Sequence, residues 1–345
     1  MTTSLVIQTS FLGDTVLTTP LIAELARRGP VDVVATRASA PLLAHDPSVR
    51  QIIVFDKTGA DRGPAGLART AARIRAAWRE RDEHPRDAHA YLAQGSLRSA
   101  ALAALARVPS RTGFDDAAGR LLYTERVPRR TADHHAVRLL SLAGGAATSA
   151  TPRLFPGDDD RRAVDTLLGA PVSDRPIVAL APGSIWGTKR WPYYRELAER
   201  LAPRFRIAVI GGTDDADIAR GLIDVAGPDV ADATGRLSIL ASAELIRRAL
   251  LLVTNDSLPQ HLASAMGTPT ISIFGPTVPE FGFGPLAPAS NVIGRSDLAC
   301  RPCDRHGPRS CPLGHWRCMR EITPRQVADA VHELSASPRL PTSAP

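Results

Sequence analysis

The stretch that most constrains the fold runs from residue 249 to residue 277, ALLLVTNDSLPQHLASAMGTPTISIFGPT. An apolar run ends abruptly at the polar residues 254 to 257, and a helix-like segment follows that stops at Gly267. Residues 269 to 274 give a second apolar run, which ends in another polar turn. The pattern predicts a strand, a helix and a second strand, which together make one unit of a parallel sheet.

Polar residues follow each of these two predicted strands. In an open parallel sheet, turns at the carboxyl ends of the strands line the ligand crevice, so these residues should share one rim. A helix N-terminus presents N–H groups and a partial positive charge, which makes a nucleotide or a sugar phosphate the natural ligand. The residues expected at this rim are Asp256, Ser257, His261, Gly275 and Thr277.

Predicted strands and helices alternate in both halves of the chain, which is typical of α/β folds with parallel sheets. The first half opens with a strand at residues 4–8, and the helix that follows either kinks at Pro20 or begins late. The second half restarts with a strand at residues 177–180, after a segment rich in Pro, Asp, Ser and Thr that marks a domain boundary. The predicted divisions are domains over 1–155 and 165–335 and a disordered tail over 336–345.

The net charge of +7, from 42 Lys plus Arg against 35 Asp plus Glu, suits anionic partners. Aromatic residues are only 5% of the chain and do not alternate with arginine, so nucleic acid is the weaker alternative and we expect none bound. No apolar run approaches the roughly 20 residues that cross a bilayer, and the first residues do not resemble a secretory signal. We therefore expect a cytoplasmic protein.

All four cysteines lie close together, at Cys300, Cys303, Cys311 and Cys318. A disulfide is disfavoured in the cytosol. The first pair has the spacing of a zinc knuckle, but the second pair is too widely spaced for a zinc ribbon. Reduced structural thiols are favoured, a zinc site at these four residues stays open, and no cofactor is required.

Three motif blocks, in order and with compatible spacing, resemble glycosyltransferase family 9. The resemblance runs from about residue 4 to about residue 330 and is strongest to the ADP-heptose:lipopolysaccharide heptosyltransferases, in particular the heptosyltransferase II type. The blocks are Ser10-Phe11-Leu12-Gly13-Asp14 with Thr18-Thr19-Pro20, Pro182-Gly183-Ser184 with Trp186 and Lys189-Arg190-Trp191-Pro192, and Asn255-Asp256-Ser257 with His261 and Phe274-Gly275-Pro276-Thr277.

The resemblance implies a GT-B fold, in which two Rossmann-like domains with parallel sheets face a central cleft. The first domain would bind the acceptor and the second the nucleotide sugar. Members of the family transfer heptose from ADP-heptose to the inner core of lipopolysaccharide with inversion at the anomeric carbon, and are not known to require a metal. The expected partners are this donor and an acceptor of the phosphorylated lipid A–Kdo type.

Asp14 is the candidate catalytic residue. Inverting transfer needs a base that takes the proton of the acceptor hydroxyl, whereas a nucleotide diphosphate leaves readily without a second acid. The alternative is that Asp14 only caps a helix, for which aspartate is among the best residues.

On the donor side, the leaving diphosphate requires fixed positive charge and hydrogen-bond donors. Chemistry and resemblance together place these at Ser184, Thr188 and Lys189, while the resemblance implies that Asp256 holds hydroxyls of the donor sugar and that Ser257 and His261 lie beside the diphosphate. Asp256 could instead only cap the following helix. The chain departs from the family pattern at Leu258 and Gln260, where many relatives have glycine and then an apolar residue, and this leaves the choice of donor open.

On the acceptor side, polar and basic residues follow the early strands, and their cationic wall suits phosphorylated, carboxylate-bearing sugars. The alternative for any single arginine is a solvated helix face. The basic surface would bring a monomeric enzyme to the anionic inner membrane as a peripheral protein. The candidate acceptor residues are Ser10, Gly13, Lys57, Arg62, Arg69 and Gln94.

Two other functions stay open from the sequence. A GT-B nucleotide-sugar epimerase would act on UDP-sugars without a lipid acceptor, although the Asp14 block argues against it. A non-catalytic protein that binds nucleotide sugars or nucleic acid is favoured by Leu258, because a leucine could block the close approach of backbone to a phosphate.

Overall fold

The computed structural model describes residues 2–144, 150–169 and 174–336. The chain divides into two compact units, Met1–Phe155 and Pro156–Pro345. Of the predicted disordered tail, residue 336 ends the last helix and the remainder lies outside the described residues. The predicted division of acceptor and donor binding between two domains stays a prediction.

The first unit is built on a six-stranded sheet in the order β3-β2-β1-β4-β5-β6, in which every pairing is parallel. Its strands are β1 Thr3–Gln8, β2 Val31–Ala35, β3 Gln51–Val54, β4 Ala88–Tyr91, β5 Ser110–Phe114 and β6 Glu125–Val127. Its α-helices are α1 Leu12–Ala26, α2 Gly63–Arg79, α3 Leu97–Leu105 and α4 His135–Ser141, with short 3-10 turns at Ala40–Leu43, Pro85–Asp87 and Arg120–Leu122.

The second unit repeats this plan with the strand order β12-β11-β10-β7-β8-β9, again all parallel. Its strands are β7 Ile177–Ala181, β8 Arg206–Val209, β9 Ala231–Asp232, β10 Leu251–Asn255, β11 Thr270–Phe274 and β12 Ser290–Gly294. Its α-helices are α5 Asp158–Leu168, α6 Tyr194–Leu201, α7 Ala216–Ala226, α8 Ile239–Arg248, α9 Leu258–Met266, α10 Arg317–Arg320 and α11 Pro324–Ala336, with 3-10 turns at Gly187–Lys189, Thr213–Asp215 and Pro279–Phe281.

The central strands are buried along their whole length. All residues of β1, β10 and β11 are buried, because parallel sheets of this kind are covered by helices on both faces. Continuous apolar runs in the sequence are therefore the correct signal for these strands. Among the described residues, no helix is both long and apolar enough to cross a membrane.

Both sheets have the strand order of a doubly wound fold. In such a sheet the chain first adds strands on one side of its first strand and then on the other side. The switch point lies between the adjacent strands β1 and β4 in the first unit, and between β7 and β10 in the second. Ligands bind outside the carboxyl ends of the strands at such switch points. The loops that follow these four strands are therefore the expected ligand-binding loops.

Helix α1 runs without interruption past Pro20, so the predicted late start is wrong. Proline has no N–H group to donate to the carbonyl of Val16, one turn earlier. The hydroxyl of Thr19 donates to that carbonyl instead, at 2.8 Å. A side chain next to the proline therefore supplies the bond that the proline cannot make, and the helix starts early enough to include Asp14.

A buried charge network joins β2, α2 and the loop after α2. Asp32 is fully buried and accepts hydrogen bonds from Arg50 Nε at 2.9 Å and from Trp78 Nε1 at 2.6 Å. The same guanidinium binds Glu83, which also accepts from the hydroxyl of Thr3 at 3.0 Å. The hydrogen bond from Arg50 is the largest cause that lowers the pKa of Glu83 below its ordinary value of 4.5.

We expect Glu83→Gln to destabilise the protein at pH 7 by about 1 to 2 kcal/mol, because the guanidinium of Arg50 loses its negatively charged acceptor and keeps only a neutral one. A carboxylate with a lowered pKa contributes stability above its unfolded-state pKa and loses that contribution as the pH falls through its folded-state pKa. The difference between wild type and variant should therefore shrink below about pH 4.5. Urea unfolding at pH 7, 5 and 4 measures it. The exposed Glu80→Gln is the matched control, and a difference that does not depend on pH would contradict the assignment.

Candidate functional site

Asp14 lies in the first turn of α1, immediately after β1. The N-cap position belongs to Phe11, whose side chain makes no capping hydrogen bond, so the alternative that Asp14 is the N-cap is wrong. A carboxylate in the first turn is nevertheless stabilised by the positive end of the helix dipole. Because α1 follows β1 closely, Asp14 lies near the carboxyl end of β1, beside the switch point of the first sheet.

The side chains of Ser10 and His135 lie beside the carboxylate of Asp14. The hydroxyl of Ser10 donates to Oδ2 at 2.6 Å, and Nε2 of His135 lies 3.7 Å from Oδ1. The side chain of Asp14 is 19% exposed and that of His135 is 12% exposed. Ser10 was predicted at this site, whereas His135 was not. His135 comes from α4, and no local motif connects it to Asp14.

Gln94 ties the loop after β4 to the loop after β1. Its Oε1 accepts hydrogen bonds from Thr9 Oγ1 at 2.8 Å, from Ser99 Oγ at 2.7 Å and from Ser96 Oγ at 3.0 Å. The two loops on either side of the switch point are thus fixed to each other. Gln94 lies after β4, as predicted, and the hydrogen bonds described for its carbonyl oxygen join parts of the protein to each other.

The basic residues predicted for the acceptor fall into two groups. Lys57 donates to the carbonyl of Thr9 at 2.5 Å, and burial, followed by the nearby charge of Arg98, lowers the pKa of Lys57. Lys57 therefore lies close to the switch point. Arg62 is the N-cap residue of α2 and Arg69 donates to the carbonyl of Ala60, so these exposed side chains belong to the start of α2 instead.

Gly13, also predicted for the acceptor, is inside the first turn of α1, next to Asp14, and not in a loop. The structure thus brings Ser10, Gly13, Asp14, Lys57 and Gln94 to the carboxyl ends of the central strands. The contacts of the described residues do not connect Arg62 and Arg69 to this group. The acceptor-binding role of all six residues stays a prediction.

In the second unit, three loops meet at the carboxylate of Asp256. Lys189, on the 3-10 turn after β7, donates from Nζ to Oδ2 at 2.6 Å, and Thr277, after β11, donates from Oγ1 to the same oxygen at 2.6 Å. The side chains of Lys189 and Asp256 are 10% and 9% exposed. A buried ion pair therefore joins two residues for which separate contacts were predicted, Lys189 with phosphate and Asp256 with sugar.

Asn255 fixes the position of this ion pair. Its side chain is fully buried and donates to the carbonyl of Pro182 at 2.8 Å, while its Oδ1 accepts the backbone N–H of Trp191 at 3.2 Å. The loop after β7 is thereby held against the end of β10. Trp191 itself is a buried core residue, and its indole N–H donates to the carbonyl of Ile322 at 2.9 Å.

Helix α9 begins directly after Asp256. Its N-cap is Ser257, so the alternative that Asp256 caps this helix is wrong, and the Ser257 side chain makes no capping hydrogen bond. Gln260 is fully buried and donates from Nε2 to the carbonyl of Phe283 at 2.6 Å. Gln260 therefore fastens the loop after β11 to α9. Leu258 is the first helical residue and is partly exposed.

His261 and Gly275 are placed by packing. His261 is buried, and its ring meets the ring of Phe283 nearly edge-on, with 6.5 Å between centroids. A Cβ at Gly275 would lie 2.7 Å from Cε and 2.9 Å from Cγ of Met319, so a side chain at the end of β11 would require Met319 to shift. Both residues therefore lie at the predicted rim, packed against Phe283 and Met319.

Ser184 and Thr188 belong to the loop after β7. The hydroxyl of Ser184 accepts the backbone N–H of Trp186 at 3.3 Å. The buried hydroxyl of Thr188 donates to the carbonyl of Pro308. The contacts predicted between these residues and a diphosphate stay predictions.

The cysteine segment, residues 300–318, packs against the loops after β7 and β11. The sequence did not predict this packing. The backbone N–H of Cys303 donates to the carbonyl of Pro276 at 2.9 Å, and Arg301 donates to the carbonyl of Thr277 at 2.9 Å. The ring of His306 lies nearly parallel to that of Trp186, with centroids 6.1 Å apart. This segment therefore forms a wall beside Lys189 and Thr277.

All four cysteines are free thiols. Burial raises the pKa of the Cys318 thiol to about 11, so this group stays protonated at neutral pH. Over residues 2–144, 150–169 and 174–336, no group of three or more His, Cys, Asp or Glu side chains is arranged to hold a metal ion. The possible four-cysteine zinc site thus gains no support from this arrangement.

Comparison with known proteins agrees with the motif blocks. The protein-family model of glycosyltransferase family 9 (heptosyltransferase) matches residues 87–315. Lipopolysaccharide heptosyltransferase 1 of Pseudomonas aeruginosa is 28% identical to this chain, over 97% of this chain and 98% of the relative.

Two solved structures share the fold. The glycosyl transferase family 9 protein from Veillonella parvula has a TM-score of 0.82 at 21% identity and covers 97% of both chains. The ADP-heptose lps heptosyltransferase II of E. coli has a TM-score of 0.76 at 23% identity, over 96% of this chain and 98% of the other. The predicted fold class, an α/β GT-B protein with two Rossmann-like parallel sheets, is confirmed. Because the family match spans more than half of the chain, this protein is a glycosyltransferase and belongs to glycosyltransferase family 9.

Proposed function

We propose that this enzyme transfers L-glycero-D-manno-heptose from ADP-heptose to the inner core of lipopolysaccharide, with inversion at the anomeric carbon. The observation that carries the proposal is the buried Lys189–Asp256–Thr277 cluster at the switch point of the second sheet, in a chain of this family. It combines a fixed positive charge for a diphosphate with a carboxylate for sugar hydroxyls. The names of the similar proteins supply the heptose, the ADP carrier and the lipopolysaccharide acceptor.

In the proposed reaction, Asp14 is the general base. An acceptor hydroxyl oxygen forms a bond to the anomeric carbon while the bond from that carbon to the diphosphate oxygen breaks. The electron pair of the broken bond leaves with ADP, and the hydroxyl proton passes to the carboxylate of Asp14. A single carboxylate suffices because the diphosphate is a stable leaving anion.

The donor site is proposed around the loops that follow β7, β10 and β11. Lys189 neutralises the negative charge that develops on the departing diphosphate in the transition state. A fixed cation contributes most at this stage of the reaction. Both hydrogen bonds to Asp256 end on Oδ2, and we assign Oδ1 to a hydroxyl of the donor sugar. The N-terminus of α9, with an N-cap side chain that is not used for capping, supplies N–H groups for the diphosphate. The other proposed donor residues are Ser184, Thr188, Ser257, His261, Gly275 and Thr277.

The acceptor is proposed to be a phosphorylated lipid A–Kdo precursor, held by Ser10, Gly13, Lys57, Arg62, Arg69 and Gln94. A cation such as Lys57, held beside the switch point by the Thr9 carbonyl, suits a phosphate or carboxylate of the acceptor. With a net charge of +7, the enzyme is proposed to act as a cytoplasmic monomer that associates with the anionic inner membrane.

The two other functions have less support. An epimerase would not need a base beside an acceptor, and the family to which the chain belongs is one of glycosyltransferases. A non-catalytic binding protein was suggested by Leu258. The partial exposure of Leu258 at the start of α9, and the use of Gln260 to fasten a loop, allow these residues a structural explanation that leaves catalysis intact.

The test is a panel of ADP-, UDP- and GDP-sugars, measured first by thermal stabilisation, since a ligand that binds only the folded state raises the melting temperature. ADP-heptose should stabilise the protein most. ADP should then be released only when ADP-heptose and a Kdo–lipid A acceptor are both present. Conversion of a UDP-sugar without any acceptor would instead identify an epimerase. Salt-sensitive RNA binding without a response to ADP-sugars would identify a binding protein.

A further inference from the structure

The imidazole of His135 is the feature of the first unit that the proposed reaction does not yet use. His135 is the first residue of α4, which packs against α1, and its Nε2 lies 3.7 Å from Oδ1 of Asp14. Both side chains are largely buried. An imidazole at this distance stabilises a carboxylate by charge when it is protonated, and by its N–H group when the contact tightens in a substrate complex.

Other polar groups of α4 and of the neighbouring loops have hydrogen-bond partners of their own. Ser10 donates to the other oxygen of Asp14, and the neighbouring His134 uses Nδ1 to accept the backbone N–H of Ala136 at the start of α4. The buried Arg138 of α4 donates to the carbonyls of Asp133 and Thr131. From the loops after β1 and β3, Lys57 donates to the carbonyl of Thr9. Among these contacts, His135 is the titratable group placed directly against Asp14.

We propose that His135 is a positioning residue that acts through Asp14, in the reaction described under the proposed function. Ser10 holds Oδ2 by a hydrogen bond and the imidazole of His135 lies beside Oδ1, so the two side chains together favour one orientation of the carboxylate and its ionised form. A carboxylate has about four lone-pair sites, so the contacts with Ser10 and His135 do not by themselves prevent it from accepting a proton from the acceptor hydroxyl. The effect is to make the base ready at lower pH than it would be without the imidazole.

The experiment compares two amide variants that differ by one methylene group. In His135→Gln, the side-chain amide can reach the position of Nε2 and donate to Asp14, whereas in His135→Asn it is too short to do so. His134→Asn is the matched control on the same helix, because asparagine keeps an acceptor at the N-cap. Thermal unfolding of all three variants confirms that they are folded.

The primary measurement is the titration of the Asp14 carboxyl carbon by NMR, in protein labelled with carbon-13 at the aspartate carboxyl groups. The Asp14 signal is assigned by its absence in Asp14→Asn. We expect the titration midpoint to rise by about one pH unit in His135→Asn. It should rise less in His135→Gln and not at all in His134→Asn. Equal midpoints in wild type and His135→Asn, or equal rises in the Asn and Gln variants, would overturn the proposal.

The second measurement is the pH profile of kcat/KM for ADP-heptose. Its acidic limb should move upward in His135→Asn by the same amount as the NMR midpoint, with a smaller movement in His135→Gln. The two measurements separate two kinds of failure. If wild-type protein transfers no heptose, the proposed function fails, while the NMR titration still decides whether His135 controls the carboxylate.

Discussion

Asp14→Asn is expected to lower kcat for glycosyl transfer by about 1,000-fold, within the range that a general base contributes. Asparagine keeps the shape of the side chain and can still accept the hydrogen bond from Ser10, but it cannot take a proton from the acceptor. Binding of ADP should remain nearly unchanged, because the proposed donor residues belong to the second unit. The rate of ADP release in the presence of donor and acceptor measures kcat, and calorimetric titration measures ADP binding.

The matched control for this variant is Asp87→Asn, an exposed aspartate in the same unit whose side chain is 65% exposed. It should retain full activity. Turnover at the wild-type rate by Asp14→Asn would remove Asp14 from the mechanism, and equal losses in both variants would indicate a general effect of lost charge.

Lys189→Met is expected to lower kcat/KM for the donor by about 100-fold, because a fixed cation at the leaving diphosphate is lost. The same change leaves Asp256 as a buried carboxylate without its cation, and breaking one partner of a buried pair costs about 3 to 5 kcal/mol. A fall in thermal stability should therefore accompany the fall in activity. Steady-state kinetics with ADP-heptose and thermal unfolding measure the two effects.

The double variant Lys189→Met with Asp256→Asn separates these effects. Removing both charges should restore most of the lost stability, since a neutral pair has no unpaired buried ion. Activity should not return, because the leaving diphosphate still lacks the cation that Lys189 supplies. The matched control is Arg200→Met, an exposed cation on α6. Unchanged donor kinetics in Lys189→Met would exclude Lys189 from donor binding, whatever the change in stability.

The sequence predicted the parallel α/β fold because its signals are local. The apolar runs of β10 and β11, the turn residues that follow them and Gly267 after α9 each depend on neighbouring residues only. The order of these elements then places Asp256 and Thr277 at one edge of the sheet. Their direct hydrogen bond follows from that topology.

The contacts that the sequence did not predict join residues far apart in the chain. His135 reaches Asp14 because α4 packs on α1, and the cysteine segment reaches Pro276 and Thr277 by a long irregular path. No periodicity encodes such pairings. The alternative that Asp14 and Asp256 are helix N-caps was wrong, because a local preference for aspartate at the N-cap cannot decide which of several adjacent residues ends the preceding loop.

The lack of a side chain at Gly275 restricts the substitutions that this sequence can accept. The space that a Cβ would need is filled by the side chain of Met319, which is buried in the core of the second unit and would have to shift. Positions 275 and 319 should therefore vary together among homologues. A lineage that acquires alanine at the first position should already have a shorter side chain at the second, so the order of the two substitutions is constrained.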